Sequence, residues 1–133
     1  MLFRSVSTLA VRTGRRVFRR TGCRACHLDT LRTGSSAVRA LDHQRVRAFS
    51  DFLLHDMGAL GDGIAQGDAT GSEFRTAPLW GVARSAPYLH DGRAATLGEA
   101  VALHDGEARA ARDRFLALPA TDQAALLEFL NGL

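Results

Sequence analysis

The chain has 133 residues, 46% of them hydrophobic, and a formal net charge of +3. That length supports one domain with a modest core, and no apolar run in it approaches the length of a membrane span. The two cysteines stand three positions apart and no nucleic-acid-binding motif is present, which leaves neither a disulfide framework nor a nucleic-acid reader as a reading.

All 17 positive charges are arginines, and they are unevenly spread: residues 1–47 hold 11 against two acids, and residues 48–133 hold six against 12. Such polarity can steer an acidic partner toward the N-terminal half or bring guanidinium groups to acidic cofactor groups; a solvated helix face is the plainer reading. Residues 1–10 read as a poorly ordered extension to a domain at 11–133. Arg12, Arg15 and Arg16 interrupt any apolar stretch of an export signal, so the chain is expected to be a piece of a longer polypeptide or to have a misassigned start.

Gly14 to Thr21 is arginine-rich, with Val17 and Phe18 as its apolar residues, and predicts a helix that stops at Gly22 and delivers Cys23. The next five residues, Cys23-Arg24-Ala25-Cys26-His27, form C-x-x-C-H. Two thiols at this spacing reach both vinyl groups of one porphyrin edge, and the adjoining imidazole then falls beneath the iron. A zinc site would need a second ligand pair, which a chain with two cysteines does not supply, and no strand precedes the motif as in a thioredoxin-like dithiol unit. The reading is a single covalent haem c, held through Cys23, Cys26 and His27. Attachment chemistry of that kind places a bacterial protein in the periplasm.

Residues 28–48 show no sustained period and read as loop. Phe49 to Gly58 is compact and apolar, strand-like or extended, and five glycines between Gly58 and Gly71 mark a surface loop. Pro78 and Pro87 limit regular helix between Glu73 and Leu89 to a short piece around Leu79-Trp80-Gly81-Val82. Thr96-Leu97-Gly98-Glu99 fits a capping box, opening a helix that places Leu97, Ala100, Val101 and His104 on one face, with Gly106 to stop it. Glu107 to Ala117 predicts another helix, and Thr121 with Asp122 starts a last one carrying Leu126, Leu127, Phe129 and Leu130. These elements together predict an all-α domain with long Gly/Pro-rich loops.

An iron held by His27 has one more axial position, and its occupant decides between electron transfer and small-molecule chemistry. Met57, His43, His55, His90 and His104 are the candidates. His104 projects from the apolar face of a well-marked helix, where an unligated imidazole would be buried without an obvious partner. Met57 is the rival, because Gly58 beside it lets a loop fold over the porphyrin.

Three further segments carry a family likeness: Phe52-Leu53-Leu54-His55-Asp56-Met57-Gly58, Glu73-Phe74-Arg75-Thr76-Ala77-Pro78-Leu79-Trp80-Gly81, and Tyr88-Leu89-His90-Asp91-Gly92-Arg93-Ala94-Ala95-Thr96-Leu97. With the C-x-x-C-H they make the chain, from about Val11 to Leu133, resemble the C-terminal haem domain of the di-haem oxidoreductases, a peroxidase-like and thiol oxidoreductase-like group. These are related to the bacterial di-haem cytochrome c peroxidases and to MauG-type proteins. The resemblance implies a cytochrome c-like haem domain. It also implies that His104 stands where the peroxidases have a methionine ligand and the MauG-type proteins a tyrosine, which favours a bis-histidine iron over His27 and Met57.

By the same likeness His55 and His90 hydrogen-bond loops, through Asp56, Asp91 or a haem propionate, and Arg75 or Arg93 meets a propionate. Ser85 and Pro87 match positions whose carbonyls help hold a calcium between two haem domains, so calcium is a minor cofactor expectation. Trp80 reads as core, with electron relay as its other role. The relatives divide labour between a haem that meets peroxide and a C-terminal haem that supplies electrons, and this chain matches the second. The implied function is electron transfer toward a redox partner or second haem domain, not catalysis by this chain alone. Peroxidase action at its own haem is the alternative if the distal ligand is labile.

Overall fold

The computed structural model describes residues 8–133. Helix α1 spans Thr8–Thr21, and residues 1–7 of the expected N-terminal extension lie outside the described residues. Gly14, Val17, Phe18 and Thr21 are buried along one stripe while Arg12, Arg16, Arg19 and Arg20 face solvent, the i, i+3, i+4, i+7 pattern of a helix against a core. Its last turn carries Arg19 and Arg20, which suit the negative end of the dipole, and Gly22 ends it at φ 96°. A 3₁₀ turn, Cys23–Ala25, follows at once.

Three further helices complete the helical part: α2 (Leu97–Leu103), α3 (Arg109–Leu116) and α4 (Ala120–Asn131), with short 3₁₀ turns at Gly58–Leu60, Val82–Arg84 and Gly106–Ala108. The capping box at α2 is formed as the sequence predicts: the Glu99 amide donates to Thr96 Oγ1 at 3.1 Å and the Thr96 amide to Glu99 Oε2 at 3.0 Å. Helix α4 starts one residue before Thr121, with Pro119 as its cap, because the proline ring already holds a helix-entry φ of −55°. Its Leu126, Phe129 and Leu130 are buried against α1, the principal partner of α4.

The core is a layer of phenylalanines. Phe18 from α1 meets Phe129 from α4 at 5.4 Å and Phe49 at 6.1 Å, and Phe49 meets Phe129 at 5.9 Å, all edge-on. Burying one such ring is worth about 2 kcal/mol, so the trio fixes how α1, α4 and the irregular segment at Phe49 sit together. Val17, Val82, Phe115, Leu126 and Leu130 close the layer.

The expectation of an all-α domain is corrected: the molecule is mixed, 42% helical and 11% strand, with two small antiparallel sheets. Strand β1 (Leu31–Arg32) pairs with β2 (Arg45–Val46), and β3 (Leu54–Asp56) with β4 (Glu73–Arg75). Long connections must satisfy their own backbone groups, and two chain segments leaving and re-entering a glycine-rich loop do so by pairing with each other. The strands are two or three residues long, below what a periodicity reading resolves.

Candidate functional site

The 3₁₀ turn after Gly22 presents both thiols and brings the His27 amide to the Cys23 carbonyl at 3.0 Å. Cys23 and Cys26 are free thiols. Cys23 sits against the Thr21 hydroxyl at 3.3 Å, and burial pushes the thiols of both cysteines up, so both are held neutral. The Asp51 amide donates to the Cys26 carbonyl at 2.8 Å and ties the motif to the segment that follows Phe49.

His27 rests on the phenylalanine layer, 6.4 Å from the Phe18 ring, and its Nδ1 lies 2.9 Å from the Phe49 carbonyl. A carbonyl only accepts, so Nδ1 carries the proton and Nε2 is left with its lone pair free. Burial pushes the His27 pKa down to about 4, against the pull of the Phe49 carbonyl, and the nearby His104 imidazole adds to the fall.

His104 lies just beyond α2, as its C-cap, with extended backbone (φ −56°, ψ 135°) where a continuous helix was expected. Its Nδ1 donates to the Ala100 carbonyl at 2.7 Å, which again leaves Nε2 free, and burial lowers its pKa. Arg112 Nη1 donates to the His104 carbonyl at 3.0 Å, and Asp105 accepts from Arg109 Nε at 2.8 Å and from the Ala59 amide at 3.0 Å. The Arg109 guanidinium holds the Asp105 carboxyl well below the usual range. Gly106, at φ 57°, packs its Cα so closely on the backbone of Asp56 and Gly58 that a side chain there would strike it. His104 is therefore fixed by its neighbours on both sides.

The donor set suits a haem. Two half-buried neutral imidazoles, His27 and His104, each have Nδ1 anchored by a backbone carbonyl and Nε2 available, and two free thiols stand beside the first. The flanking segments leave Phe52, Leu53, Leu54, Trp80 and Leu103 exposed, apolar surface of the kind a porphyrin face covers.

The other expected residues are placed as follows. Met57 is half-buried between β3 and the next 3₁₀ turn, its amide on the Ser72 carbonyl at 2.8 Å. Arg75 lies 5.7 Å over the Phe52 ring, whereas Arg93 is committed to Asp91 at 2.6 Å. His43 is exposed beside Ser35. His90 stacks on Phe74 at 4.1 Å with Asp62 3.6 Å from its Nε2. Trp80 is 54% exposed, so it is not core. Ser85 and Pro87 are exposed.

His55 does hold loops together, but through residues that sequence reasoning missed: its Nε2 meets Asp51 and its Nδ1 meets Glu107, each at 2.8 Å. Glu107 also accepts the Asp56 amide at 3.0 Å, so the cluster pins β3 to the turn before α3. Glu107 and Asp51 raise the His55 pKa. A raised histidine pKa means stability that is fully present below the unfolded value of 6.5 and is lost as pH rises through the folded value. His55→Ala is accordingly expected to lower the melting temperature more at pH 6 than at pH 9, and a pH-independent loss in thermal melts would rule this out. A separation of 52 residues between His55 and Glu107 left no local signal.

No helix of the described residues is long and apolar enough to cross a membrane. Neither the curated proteins nor the solved structures contain a match to this chain. The sequence does match, over residues 2–133, the family described as "Di-haem oxidoreductase, putative peroxidase". Nearly the whole chain is covered, the C-x-x-C-H turn and both half-buried histidines included, and the chain belongs to the di-haem oxidoreductase family.

Proposed function

We propose that this chain is a haem-c electron-transfer domain of a peroxidase-like oxidoreductase, with one haem attached through Cys23 and Cys26 and its iron ligated by His27 and His104. The observation that carries the reading is the matched pair of imidazoles, each presenting Nε2 because a backbone carbonyl has claimed Nδ1. When bound, the haem supplies one-electron chemistry at iron. The chain's own part is to hold both ligands neutral and in place. Phe18 and Phe49 support His27 from the core, while Arg109, Arg112 and Asp105 set the loop that carries His104. Arg75 is available for a propionate, and Arg93 reaches one only by leaving Asp91.

Were His27 and His104 both to hold the iron, a small substrate would meet no open site, and the activity would be outer-sphere transfer to a partner protein or second haem domain. Periplasmic location follows from the attachment chemistry. The second reading is peroxidase action at this haem: His104 stands outside its helix, so its hold on the iron would rest on the loop contacts of Arg112 and Asp105 and not on the α2 ladder.

Protein matured with haem in a periplasm is expected to gain the mass of one haem, to give a c-type pyridine haemochrome, and to show a low-spin ferric spectrum indifferent to cyanide and peroxide. Unmodified polypeptide overturns the proposal. A high-spin ferric fraction reacting rapidly with peroxide moves the function to the second reading.

A further inference from the structure

The structure holds a second feature that the haem reading does not use. Arg15, Thr30, Arg45 and Arg47 line an open surface pocket of about 410 Å³. Its walls come from α1, from the loop after the C-x-x-C-H turn, and from the β2 region. Three guanidinium groups and a hydroxyl therefore converge from separate parts of the chain.

The charge there is not balanced from within. Asp29 is the neighbouring carboxylate, 8% exposed at its side chain, and it is already shared by Arg15 at 3.0 Å, Arg19 at 2.7 Å and Arg24 at 3.2 Å. Among the described residues neither Arg45 nor Arg47 has a carboxylate partner. Arg15 Nε is buried and has no hydrogen-bond partner among the described residues, an arrangement that costs free energy unless something accepts from that side chain. Across the β1–β2 ladder Arg45 stands directly opposite Arg32, a like-charge pairing that destabilises a sheet. The Arg47 guanidinium is steadied 6.0 Å over the Phe49 ring, so it is preorganised in place.

An over-subscribed carboxylate and two pocket arginines without a carboxylate partner among the described residues call for the same thing, an acceptor with more than one negative charge. Guanidinium forks match phosphate and carboxylate oxygens bidentately, and the Thr30 hydroxyl adds a donor. We propose that this pocket binds a small multivalent oxyanion, of the pyrophosphate or tricarboxylate class. The pocket opens to solvent and, at about 410 Å³, has room for more than one tetrahedral anion, which suits a small molecule with two or more anionic groups. The site needs no haem, so it stands or falls apart from the proposed electron-transfer function.

The test is calorimetric titration of the full chain with pyrophosphate and, separately, with citrate, at low salt and against sodium chloride of matched ionic strength. Saturable one-to-one binding is expected. The R45Q/R47Q variant, which leaves the Arg15–Asp29 contact intact, should weaken it about tenfold or more, while R39Q, an exposed arginine outside the pocket, binds as the natural chain does. The tighter of the two ligands names the anion class. The bound anion should also raise the melting temperature of the natural chain and not of R45Q/R47Q, a comparison that holds even if the variant is less stable to begin with.

Heat that sodium chloride reproduces, absence of saturable binding by either anion, or equal binding by R45Q/R47Q would overturn the proposal. So would binding to the haem-free chain that vanishes in the haem-loaded one, because the pocket would then be serving the cofactor's own carboxylates.

Discussion

Replacing His104 by alanine is expected to turn a low-spin, cyanide-indifferent ferric haem into one that is largely high-spin, binds cyanide and reacts with peroxide. The side chain removed is half-buried like His27, offers a free Nε2, and sits in a loop locked by its neighbours. Alanine at this position should cost little in fold, because the His104 backbone sits outside α2 and the contacts that hold it, from Arg112 to its carbonyl and from its amide to Val101, are backbone contacts. A H104M variant separates ligation from packing: a thioether in place of imidazole favours ferrous iron, so the midpoint potential should rise on the order of 0.1 V within the roughly 0.8 V range that axial ligands span. Optical and paramagnetic resonance spectra with a redox titration read both outcomes. If H104A leaves the spectrum unchanged while Met57→Leu alters it, the iron is ligated by His27 and Met57 and the matched anchoring of the two imidazoles has another purpose.

Much of this site was legible in the sequence because its signals are local. C-x-x-C-H is five consecutive residues, and the Thr96–Glu99 capping box is four; each is confined to one turn of chain, where spacing alone determines geometry. Pattern and stop signals also located α2, α3 and α4 within a few residues and the end of α1 at Thr21, although α1 begins at Thr8 and not at the expected Gly14. The α2 pattern, however, ran on to His104, whereas the helix stops at Leu103, since Asp105 turns away to meet Arg109 and Ala59. The competing pull was tertiary, and no i+7 count contains it.

What stayed hidden is what depends on distant pairing. The β3–β4 ladder joins Leu54 to Arg75 and Asp56 to Glu73 across a glycine-rich loop, and His55 reaches Glu107 in another element. Arg93 was expected, as the alternative to Arg75, on a propionate, but the Asp91 two residues before it takes its guanidinium. Trp80 read as core on its chemistry alone, and it is exposed because the nearby Leu79 and Val82 are the residues that face the phenylalanine layer. The all-α expectation failed for the same reason. Strand β3 lies inside the segment read as strand-like, Phe49 to Gly58; the two- and three-residue strands β1, β2 and β4 carry too little pattern to register, yet they help order the loops around the site.

Gly14 carries one of the large stability effects expected among the described residues. In an isolated helix Gly14→Ala would stabilise by about 1 kcal/mol, because glycine is the poorer helix former. Here the sign should reverse. Gly14 is buried where α1 crosses α4, and a Cβ on it would collide with the carbonyl oxygen of Ala125 and stand 2.6 Å from Phe129 Cβ. Neither obstacle is the end of a flexible side chain, so relief requires the two helices to part. Parting them opens the layer in which Phe129 meets Phe18 and Phe49, and it withdraws the floor beneath His27. The cost should be about 3 kcal/mol or more, a large share of the roughly 5–15 kcal/mol that holds a domain of this kind together. Gly34→Ala is the matched control, since nothing lies within 4 Å of its added methyl and its φ is not in the left-handed region. Denaturant melts of the two variants, run with the haem-free chain, give the comparison: G14A should be unfolded or nearly so where G34A matches the natural protein. A G14A chain as stable as G34A would show that α1 and α4 do not cross at this glycine, and the support for His27 would have to be sought elsewhere.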